Sequence, residues 1–532
     1  MFLEDVLLDP NGDVFKCRTG ETTLEREICD LAFEREKRHV SILLEISSSS
    51  SLSSSSEKSL LDNIIKEYFP SVVEISEIQF QSIKNALNFV RAVKRRISPK
   101  KENKASVLIV GGGPAGLLTA IETHRRGYRV RVVEKRRYHS RKVWFDLLSS
   151  EVGEFRGLET LRSWGLEFLP HLYNTSVMEA PGTLTIPCRT LEIFLARILL
   201  LLDNVEINYE TTFLGFTEKN GFAILRRNHD DDKEDETCIK NDVKYDIVVG
   251  ADGTRSAVRN AADIGMNTLD RFGKFRLRDL KQTTTILSLQ VDPSTGHCPS
   301  LRKIRQQDVS PFDPAFESIM NGTVTSAWKR WNPPFCEIQV LWTNLFAETQ
   351  RDHTDEKLLD LMHVILQNPP NNQKEFRDML DVRSGDVNVH TYDVRISRSS
   401  RFTKTIQGDV TVVLIGDAAQ SSHYRLGVGI NRVFDVVNVF GESISSSSSS
   451  ITTSAFDEDH FVRGASDVLN WLQYHQLKAM YFEAYCDCAV HEGNVYSRRL
   501  DGTREYDLIE DESVLMEMVS EGGRCTKPLE II

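Results

Sequence analysis

The feature that most constrains the fold is a cluster of glycines between an apolar run and a helical segment. Residues 106–110 (SVLIV) are typical of a buried parallel strand, and GGGPAG follows at once. In the spacing G-x-G-x-x-G, one glycine makes a tight turn, one lets the backbone approach a pyrophosphate, and one lets the helix pack on the strand. The helix N-terminus offers unpaired N–H groups to the phosphates. The segment predicts a dinucleotide-binding unit, with candidate binding residues Gly111, Gly113, Pro114, Ala115 and Gly116.

An acidic residue closes the second strand of this unit. The helical segment LLTAIETHRRG ends at Gly127, the strand YRVRVVE follows, and Glu134 lies 18 residues after Gly116. A carboxylate here can accept hydrogen bonds from the hydroxyls of an adenosine ribose, and an acid rather than a base favours a ribose without a phosphate. The pattern therefore predicts FAD or NAD, without choosing between them, and Glu134 and the adjacent Lys135 are candidate binding residues.

Two later motifs place glycine and aspartate after apolar strands. The first is YDIVVGADGTRSAVR (245–259), in which Asp252 follows the strand. The second is VTVVLIGDAAQSSHYRLGVGIN (410–431), in which Gly416 and Asp417 follow the strand. Taken alone, each motif is also typical of a strand that ends in an ordinary turn.

The order of these motifs resembles that of the class A FAD-dependent monooxygenases, the group of para-hydroxybenzoate hydroxylase, over residues 104–440. The family pattern GDAAHxxxPxxGxGxN is matched in register, except that Gln420 replaces the usual His and Tyr424 the usual Pro. The resemblance implies FAD, with Asp252 near its pyrophosphate and Asp417 at its ribityl chain. It also implies a helix aimed at the isoalloxazine, whose positive end stabilises the reduced flavin. The residues at the start of that helix are Gly427, Gly429, Ile430 and Asn431.

Two weaker signals lie between these motifs. Arg189 precedes TLEIFLARILLLL, which has the apolar spacing of an amphipathic helix. The resemblance implies that this arginine reaches the ribityl and phosphate region, although the residue alone fits a surface position equally well. The stretch EKRRYHSRK (134–142) is similar to the MICAL monooxygenases, which keep E-K-R and a following S-R.

These motifs predict an α/β fold: a doubly wound, Rossmann-like FAD-binding domain interleaved with a mostly antiparallel β-sheet substrate domain, plus helical N- and C-terminal extensions. The strands Thr283–Val291 and Cys336–Thr343 are rich in β-formers and would roof the flavin. The predicted domains are an N-terminal extension with a Ser-rich linker (1–103), the FAD-binding monooxygenase-like region (104–440, with its substrate sheet mainly in 265–390), a Ser-rich insertion (441–454) and a helical C-terminal region (455–532).

The predicted function is that of an FAD-dependent monooxygenase. NADH or NADPH would reduce the flavin, O2 would add at C4a, and the hydroperoxyflavin would transfer one oxygen atom to an organic substrate. Only one nucleotide fingerprint is present, so the nicotinamide is expected to bind transiently. His423 and Tyr424 are weak candidates for substrate contact, because loop residues of this kind are more often structural.

Two other functions stay open. A non-catalytic FAD-fold binding protein that resembles the Rab GDP-dissociation inhibitors would not need the two aspartate motifs, but Gln420 and Tyr424 depart from the catalytic family. Another kind of flavin oxidoreductase is the second alternative. A disulfide oxidoreductase is disfavoured, since no cysteine lies between Cys29 and Cys188.

Composition excludes several further classes. The 65 basic and 77 acidic residues leave a net charge of −12, which disfavours nucleic acid as a partner. No apolar stretch approaches the roughly 18 residues of a membrane span. The nine cysteines form no C-x-x-C pair, so no metal is expected. With an acidic N-terminal segment that does not resemble a leader, we expect a cytoplasmic protein with a small-molecule substrate, and a protein substrate is the less favoured alternative.

Overall fold

The computed structural model describes most of the residues that make up the predicted motifs. The described residues are 88–97, 99, 105–137, 139, 144–150, 155–166, 177–180, 182–218, 220–227, 238–239, 244–268, 271–272, 275–276, 280–290, 323–332, 335–343, 387–394, 396–421, 429–446 and 456–485. Most of the predicted N-terminal extension and the serine tract after residue 446 lie outside them, as do the acidic tract 230–236 and the end of the chain.

These residues fall into two compact units. The first unit comprises the parts of 1–267, 398–421 and 427–472 that are described, and the second those of 268–397, 422–426 and 473–532. The helices are one over residues 88–97, α1 (Pro114–Arg125), α2 (Gly157–Ser163), α3 (Cys188–Leu200), α4 (Ala257–Ala261), α5 (Gly429–Ser446) and α6 (Glu458–Tyr485).

The strands in chain order are β1 (Ser106–Val110), β2 (Arg129–Val133), β3 (Trp144–Leu148), β4 (Val177–Ala180), β5 (Thr183–Pro187), β6 (Val205–Asn208), β7 (Thr211–Phe216), β8 (Ala223–Arg227), β9 (Cys238–Ile239), β10 (Ile247–Gly250), β11 (Met266–Thr268), β12 (Arg271–Phe272), β13 (Phe275–Arg276), β14 (Leu280–Gln290), β15 (Thr323–Asn332), β16 (Phe335–Thr343), β17 (Val387–Val394), β18 (Ser397–Ser399), β19 (Thr403–Ile406), β20 (Val410–Leu414) and β21 (Gln420–Ser421).

A six-stranded sheet forms the centre of the first unit, in the order β19-β20-β10-β1-β2-β6. The strands from β20 to β6 are parallel, and β19 pairs antiparallel with β20. Every residue of β10 is buried, as are four of the five in β1, which is why these strands are continuous apolar runs rather than alternating ones. This sheet confirms the predicted mixed α/β fold with a parallel, Rossmann-like core.

Helices cover this sheet and continue its core. The helix α1 packs against α3 and α5, and fully buried aromatic side chains such as Phe194 and Phe440 lie among them. Phe89, in the helix over 88–97, contacts Phe194 with ring centroids 5.8 Å apart. The end of the predicted N-terminal extension is therefore a helix packed on the first unit, because the apolar face of residues 88–97 is buried.

The first unit also contains two small antiparallel sheets, in the orders β3-β5-β4 and β7-β8-β9. A further small sheet has the order β11-β18-β21. The helix α5 continues to Ser446, so residues 441–446 are helical although a Ser-rich insertion is predicted from 441. Phe440 and Ile444 are buried, and this apolar stripe extends the helix into the serine tract. Within the predicted helical C-terminal region (455–532), residues 458–485 form α6.

The second unit contains an antiparallel sheet with the order β15-β16-β14-β17. Its strands pair in long registers, for example Thr283 with Trp342 across β14 and β16. Both predicted strands, 283–291 and 336–343, are present as β14 and β16. Across the described residues of both units, no helix is long and apolar enough to cross a membrane.

Candidate cofactor site

The predicted binding segments meet at one edge of the parallel sheet. In the spatial order β20, β10, β1 and β2, each strand ends at the same edge and is followed by a predicted motif. These motifs are the turn at Asp417, the turn at Asp252, the glycine cluster 111–116, and Glu134. The carboxyl ends of parallel strands are where open α/β sheets bind ligands. Segments separated by about three hundred residues in the sequence thus lie at the same edge of the sheet.

The glycine cluster requires glycine for geometric reasons. Gly111 has φ +111°, and a Cβ there would lie 2.4 Å from the backbone oxygen of Ala251. At Gly116 a Cβ would lie 1.9 Å from the backbone oxygen of Gly111. Atoms at such distances overlap, so any side chain would force the turn apart. The two glycines hold the turn tightly between the end of β10 and the start of α1.

The N-terminus of α1 is open to a ligand. Gly113 occupies the N-cap position, no side chain caps the helix, and no acidic residue lies in its first turn. Pro114 is at the first helical position, where its missing N–H costs nothing. The hydrogen bond from Leu117 N to Gly113 O, 3.0 Å, begins the helix, which leaves the N–H groups before it directed outward. Such an end binds phosphate.

Glu134 is buried beside this turn and is already hydrogen-bonded. Its Oε2 accepts a hydrogen bond from Gly112 N at 2.7 Å, and its Oε1 accepts one from Arg136 N at 3.0 Å. The Arg136 side chain approaches Oε1 to 3.6 Å. Each carboxylate oxygen can accept a further hydrogen bond. Glu134, the predicted ribose acceptor, thus has a second role, because it holds the glycine turn in place.

Gly112 is a residue whose importance the sequence reasoning missed. It occupies a variable position of the fingerprint, but a Cβ there would lie 2.9 Å from Cβ of Glu134. The run of three consecutive glycines in GGGPAG, of which Gly112 is the middle one, is the signal that could have revealed it.

Asp252 caps the short helix α4 with one oxygen. Its Oδ2 accepts hydrogen bonds from the backbone N–H groups of Ala257, at 2.6 Å, and Val258, at 3.2 Å. Its Oδ1 is inaccessible to solvent and has no hydrogen-bond partner among the described residues. Burial raises the pKa of the Asp252 carboxyl, and its hydrogen bonds, that with Ser256 first, act in the opposite direction. A buried oxygen without a partner is expected to meet a ligand or a water molecule.

We predict that the variant Asp252→Asn gains stability relative to the wild type as the pH rises. Because the pKa of Asp252 is raised in the folded protein, the folded state holds this proton over a pH range in which the unfolded state has lost it. The wild type therefore loses stability as the pH rises through the folded pKa. The difference in free energy of unfolding should grow by at most about 1.4 kcal/mol per pH unit. Urea unfolding of both FAD-free proteins between about pH 4 and 7 measures it, and a difference independent of pH would contradict the prediction.

The turn after β20 lies against the first turn of α1. Gly416 has φ +64°, and a Cβ there would be 2.9 Å from Cβ of Ala115. Asp417 follows in a short 3₁₀ turn and is exposed. Arg259 ties this turn to the Asp252 segment, because its Nη1 donates to Ala418 O at 3.1 Å and its Nη2 donates to Thr254 O at 2.8 Å. No role was predicted for Arg259, because the neighbouring sequence does not show where its side chain points.

The Asn431 side chain connects α5 to the backbone of β3. It lies near the start of α5, which begins at Gly429, and its side chain is fully buried. Its Oδ1 accepts from Leu148 N at 2.9 Å and its Nδ2 donates to Asp146 O at 2.8 Å, so it anchors β3. Ile430 is also buried. The cofactor contacts predicted for these α5 residues stay predictions.

The structure describes some of the remaining predicted site residues and leaves others out. Gly427, His423 and Tyr424 are outside the described residues. Arg189 was expected before its helix but lies inside the first turn of α3, which begins at Cys188. Lys135 is exposed in the turn after Glu134. Gln420 is buried, with its Nε2 3.3 Å from Leu469 O and its Oε1 without a hydrogen-bond partner among the described residues.

The residues present fit a flavin dinucleotide. Among the described residues they supply a helix N-terminus that no side chain caps, a turn that a single Cβ would fill, a buried carboxylate beside it, and a buried Asp252 oxygen that has no hydrogen-bond partner. Within the described ranges no group of three or more His, Cys, Asp or Glu side chains could hold a metal ion.

The sequence matches a known family over the residues that form this site. The model of the FAD binding domain family matches residues 104–441. The chain therefore belongs to this family, that of the class A flavoprotein monooxygenases, and FAD is its cofactor.

Curated relatives match over part of the chain. Protein-methionine sulfoxide oxidase mical3a of Danio rerio is 27% identical over 202 residues, which are 34% of this chain and 9% of the relative. [F-actin]-monooxygenase MICAL2 of Mus musculus is 30% identical over 161 residues, 28% of this chain and 7% of the relative. The chain thus spans under a tenth of the length of these relatives.

Solved structures are similar at low identity. The probable FAD-dependent monooxygenase pqsL from Pseudomonas aeruginosa has a TM-score of 0.48 and 14% identity, covering 75% of this chain and 99% of that one. The p-nitrophenol 4-monooxygenase PnpA from Pseudomonas putida DLL-E4 has a TM-score of 0.48 and 16% identity, covering 80% and 99%.

Proposed function

We propose that this protein is an FAD-dependent monooxygenase that uses NADH or NADPH and O2 to oxygenate an organic substrate. The observation that carries the proposal is the meeting of four motifs at one edge of the parallel sheet. All four lie within the match to the FAD binding domain family, residues 104–441. A dinucleotide-binding protein of another class would need the glycine turn and Glu134, but not the turns at Asp252 and Asp417.

The residues of the chain have separate parts in holding the cofactor. The N–H groups at the start of α1 would bind the pyrophosphate, Glu134 the adenosine ribose, and Asp417 the ribityl chain. Arg259 would position Asp417 by holding the carbonyl oxygen of the next residue, Ala418. The positive end of α5 would favour negative charge on the flavin ring. When bound, FAD supplies the transfer of electrons from the nicotinamide and the activation of O2.

We propose that the substrate is an organic small molecule. The curated relatives are named for protein methionine and F-actin, and each is matched over less than a tenth of its length. A protein substrate is the less favoured alternative. We propose His423 and Tyr424 as substrate contacts, and we expect the antiparallel sheet of β14 to β17 to belong to the substrate domain. The predicted domain boundaries and the cytoplasmic location are part of the same proposal.

The test is reduction of the bound flavin by a nicotinamide. We expect the FAD-loaded full chain to oxidise NADH or NADPH with uptake of O2, slowly without substrate and faster with the correct compound. Stopped-flow absorbance of the flavin, with an oxygen electrode in parallel, measures both steps, and the FAD-free chain is the control. A chain that binds FAD but is reduced by neither nicotinamide would contradict the proposal. That result would favour the non-catalytic binding protein.

A further inference from the structure

Three polar side chains form a cluster next to the cofactor site, in the first unit. His139 Nδ1 lies 3.4 Å from Glu192 Oε2, and His139 Nε2 lies 3.2 Å from the Tyr209 hydroxyl. The His139 and Tyr209 rings also meet edge to face, with centroids 5.7 Å apart. His139 is 6% exposed and Glu192 is 1% exposed. We call these three residues the Glu–His–Tyr cluster.

The hydrogen-bonding properties of Glu192 and Tyr209 determine which ring nitrogen of a neutral His139 carries the proton. A carboxylate only accepts hydrogen bonds, so the proton of a neutral His139 belongs on Nδ1, facing Glu192. Nε2 then accepts a hydrogen bond from the Tyr209 hydroxyl. The 3.4 Å contact between Nδ1 and Glu192 Oε2 is longer than a normal hydrogen bond, and Oε2 has no hydrogen bond of normal geometry among the described residues. A carboxylate buried to this degree is costly unless a partner such as His139 compensates it.

Each member comes from a segment that leads to the cofactor site. His139 follows Glu134 by five residues in the same loop. Tyr209 directly follows β6, beside Asn208, whose backbone oxygen accepts a hydrogen bond from Glu134 N at 2.9 Å. Glu192 lies in α3, one turn after Arg189. The cluster therefore connects the loop that carries Glu134 and Lys135 with the helix that carries Arg189.

We propose that the Glu–His–Tyr cluster is a positioning group that holds the Glu134 loop against α3 and β6 and so preorganises the adenosine end of the FAD site. The inference rests on the cofactor site proposed above. None of the three residues has to touch FAD. They act on binding by keeping the Glu134 loop close to α3 in the FAD-free protein. Without them the loop would move away, and FAD binding would carry the cost of ordering it again.

The test is FAD affinity in a double-mutant cycle on the full chain. We expect His139→Phe and Glu192→Gln each to weaken FAD binding by about tenfold, since each breaks a buried charge-assisted contact. The double variant should bind no more weakly than His139→Phe alone, because His139→Phe already removes the contact with Glu192. His139→Asn, whose Nδ2 can face Glu192, should recover part of the loss. Tyr209→Phe, which keeps the ring contact, should lose about threefold.

Controls separate this inference from the proposed function. Glu206→Gln, on the exposed surface of β6, should bind FAD as the wild type does. If the wild type failed to bind FAD, the proposed cofactor site would be wrong. If the wild type bound FAD and Tyr209→Phe and Glu192→Gln bound it equally well, only the positioning role would be wrong. Additive losses in the cycle, or a lower melting temperature of the FAD-free variants with unchanged FAD affinity, would also overturn it.

Discussion

Replacing Gly116 by valine should abolish measurable FAD binding. A Cβ at this position would lie 1.9 Å from the backbone oxygen of Gly111, and backbone atoms cannot move aside as a flexible side chain can. The turn and the start of α1 would separate, and the N–H groups that bind the pyrophosphate would lose their alignment. We expect FAD affinity to fall by at least about a hundredfold, equivalent to the loss of two charge-assisted hydrogen bonds. The FAD-free protein should also lose roughly 1–3 kcal/mol of stability from overpacking.

FAD titration and urea unfolding of the same variant measure the two effects. Gly265→Ala is the matched control, because a Cβ there would meet only the Ser400 side chain, at an ordinary distance of 3.5 Å. It should leave both quantities close to those of the wild type. Normal FAD affinity in Gly116→Val would show that the glycine turn does not hold the cofactor.

The second large effect is expected for Glu134→Ala. This change removes the acceptor for the N–H groups of Gly112 and Arg136 as well as the predicted acceptor for the ribose. FAD affinity should fall by about tenfold to a hundredfold, which corresponds to roughly 1–3 kcal/mol. The FAD-free protein should lose a similar free energy of unfolding, because the Gly112 N–H is left buried without a partner.

Glu134→Gln separates the two roles of the side chain. It retains an oxygen that can accept from a backbone N–H, so stability should largely recover, whereas the charged acceptor for the ribose is lost. Glu206→Ala, at an exposed ion pair with Arg131, is the control and should change FAD affinity by less than twofold. Unchanged FAD affinity in both Glu134 variants would remove this residue from the site.

The sequence could predict the features that depend on local backbone demands. The glycine cluster, the apolar runs of β1, β10 and β20, and the acid after β2 have patterns that few other structures share. Parallel strands with both faces buried must be continuously apolar, and this constraint made three of the sheet's central strands recognisable. The antiparallel strands β14 and β16 were recognisable from their β-branched and aromatic content.

The features that depend on side-chain direction could not be predicted. Arg259 reaches Ala418 across 159 positions of sequence, and Asn431 reaches β3 across more than 280. No periodicity shows such contacts, because they are set by how α4 and α5 approach the strands. The double role of Glu134 was missed for the same reason, since its bond to Gly112 exists only once β1 and β2 are paired.

The most direct test of the central claim is titration of the purified, FAD-free full chain with FAD, followed by flavin fluorescence and absorbance. The claim is that the four motifs at the carboxyl edge of the parallel sheet form one FAD site. It predicts saturation at one FAD per chain, and loss of that binding in Gly116→Val but not in Gly265→Ala. Absence of binding by the wild type, or equal binding by both variants, would contradict it.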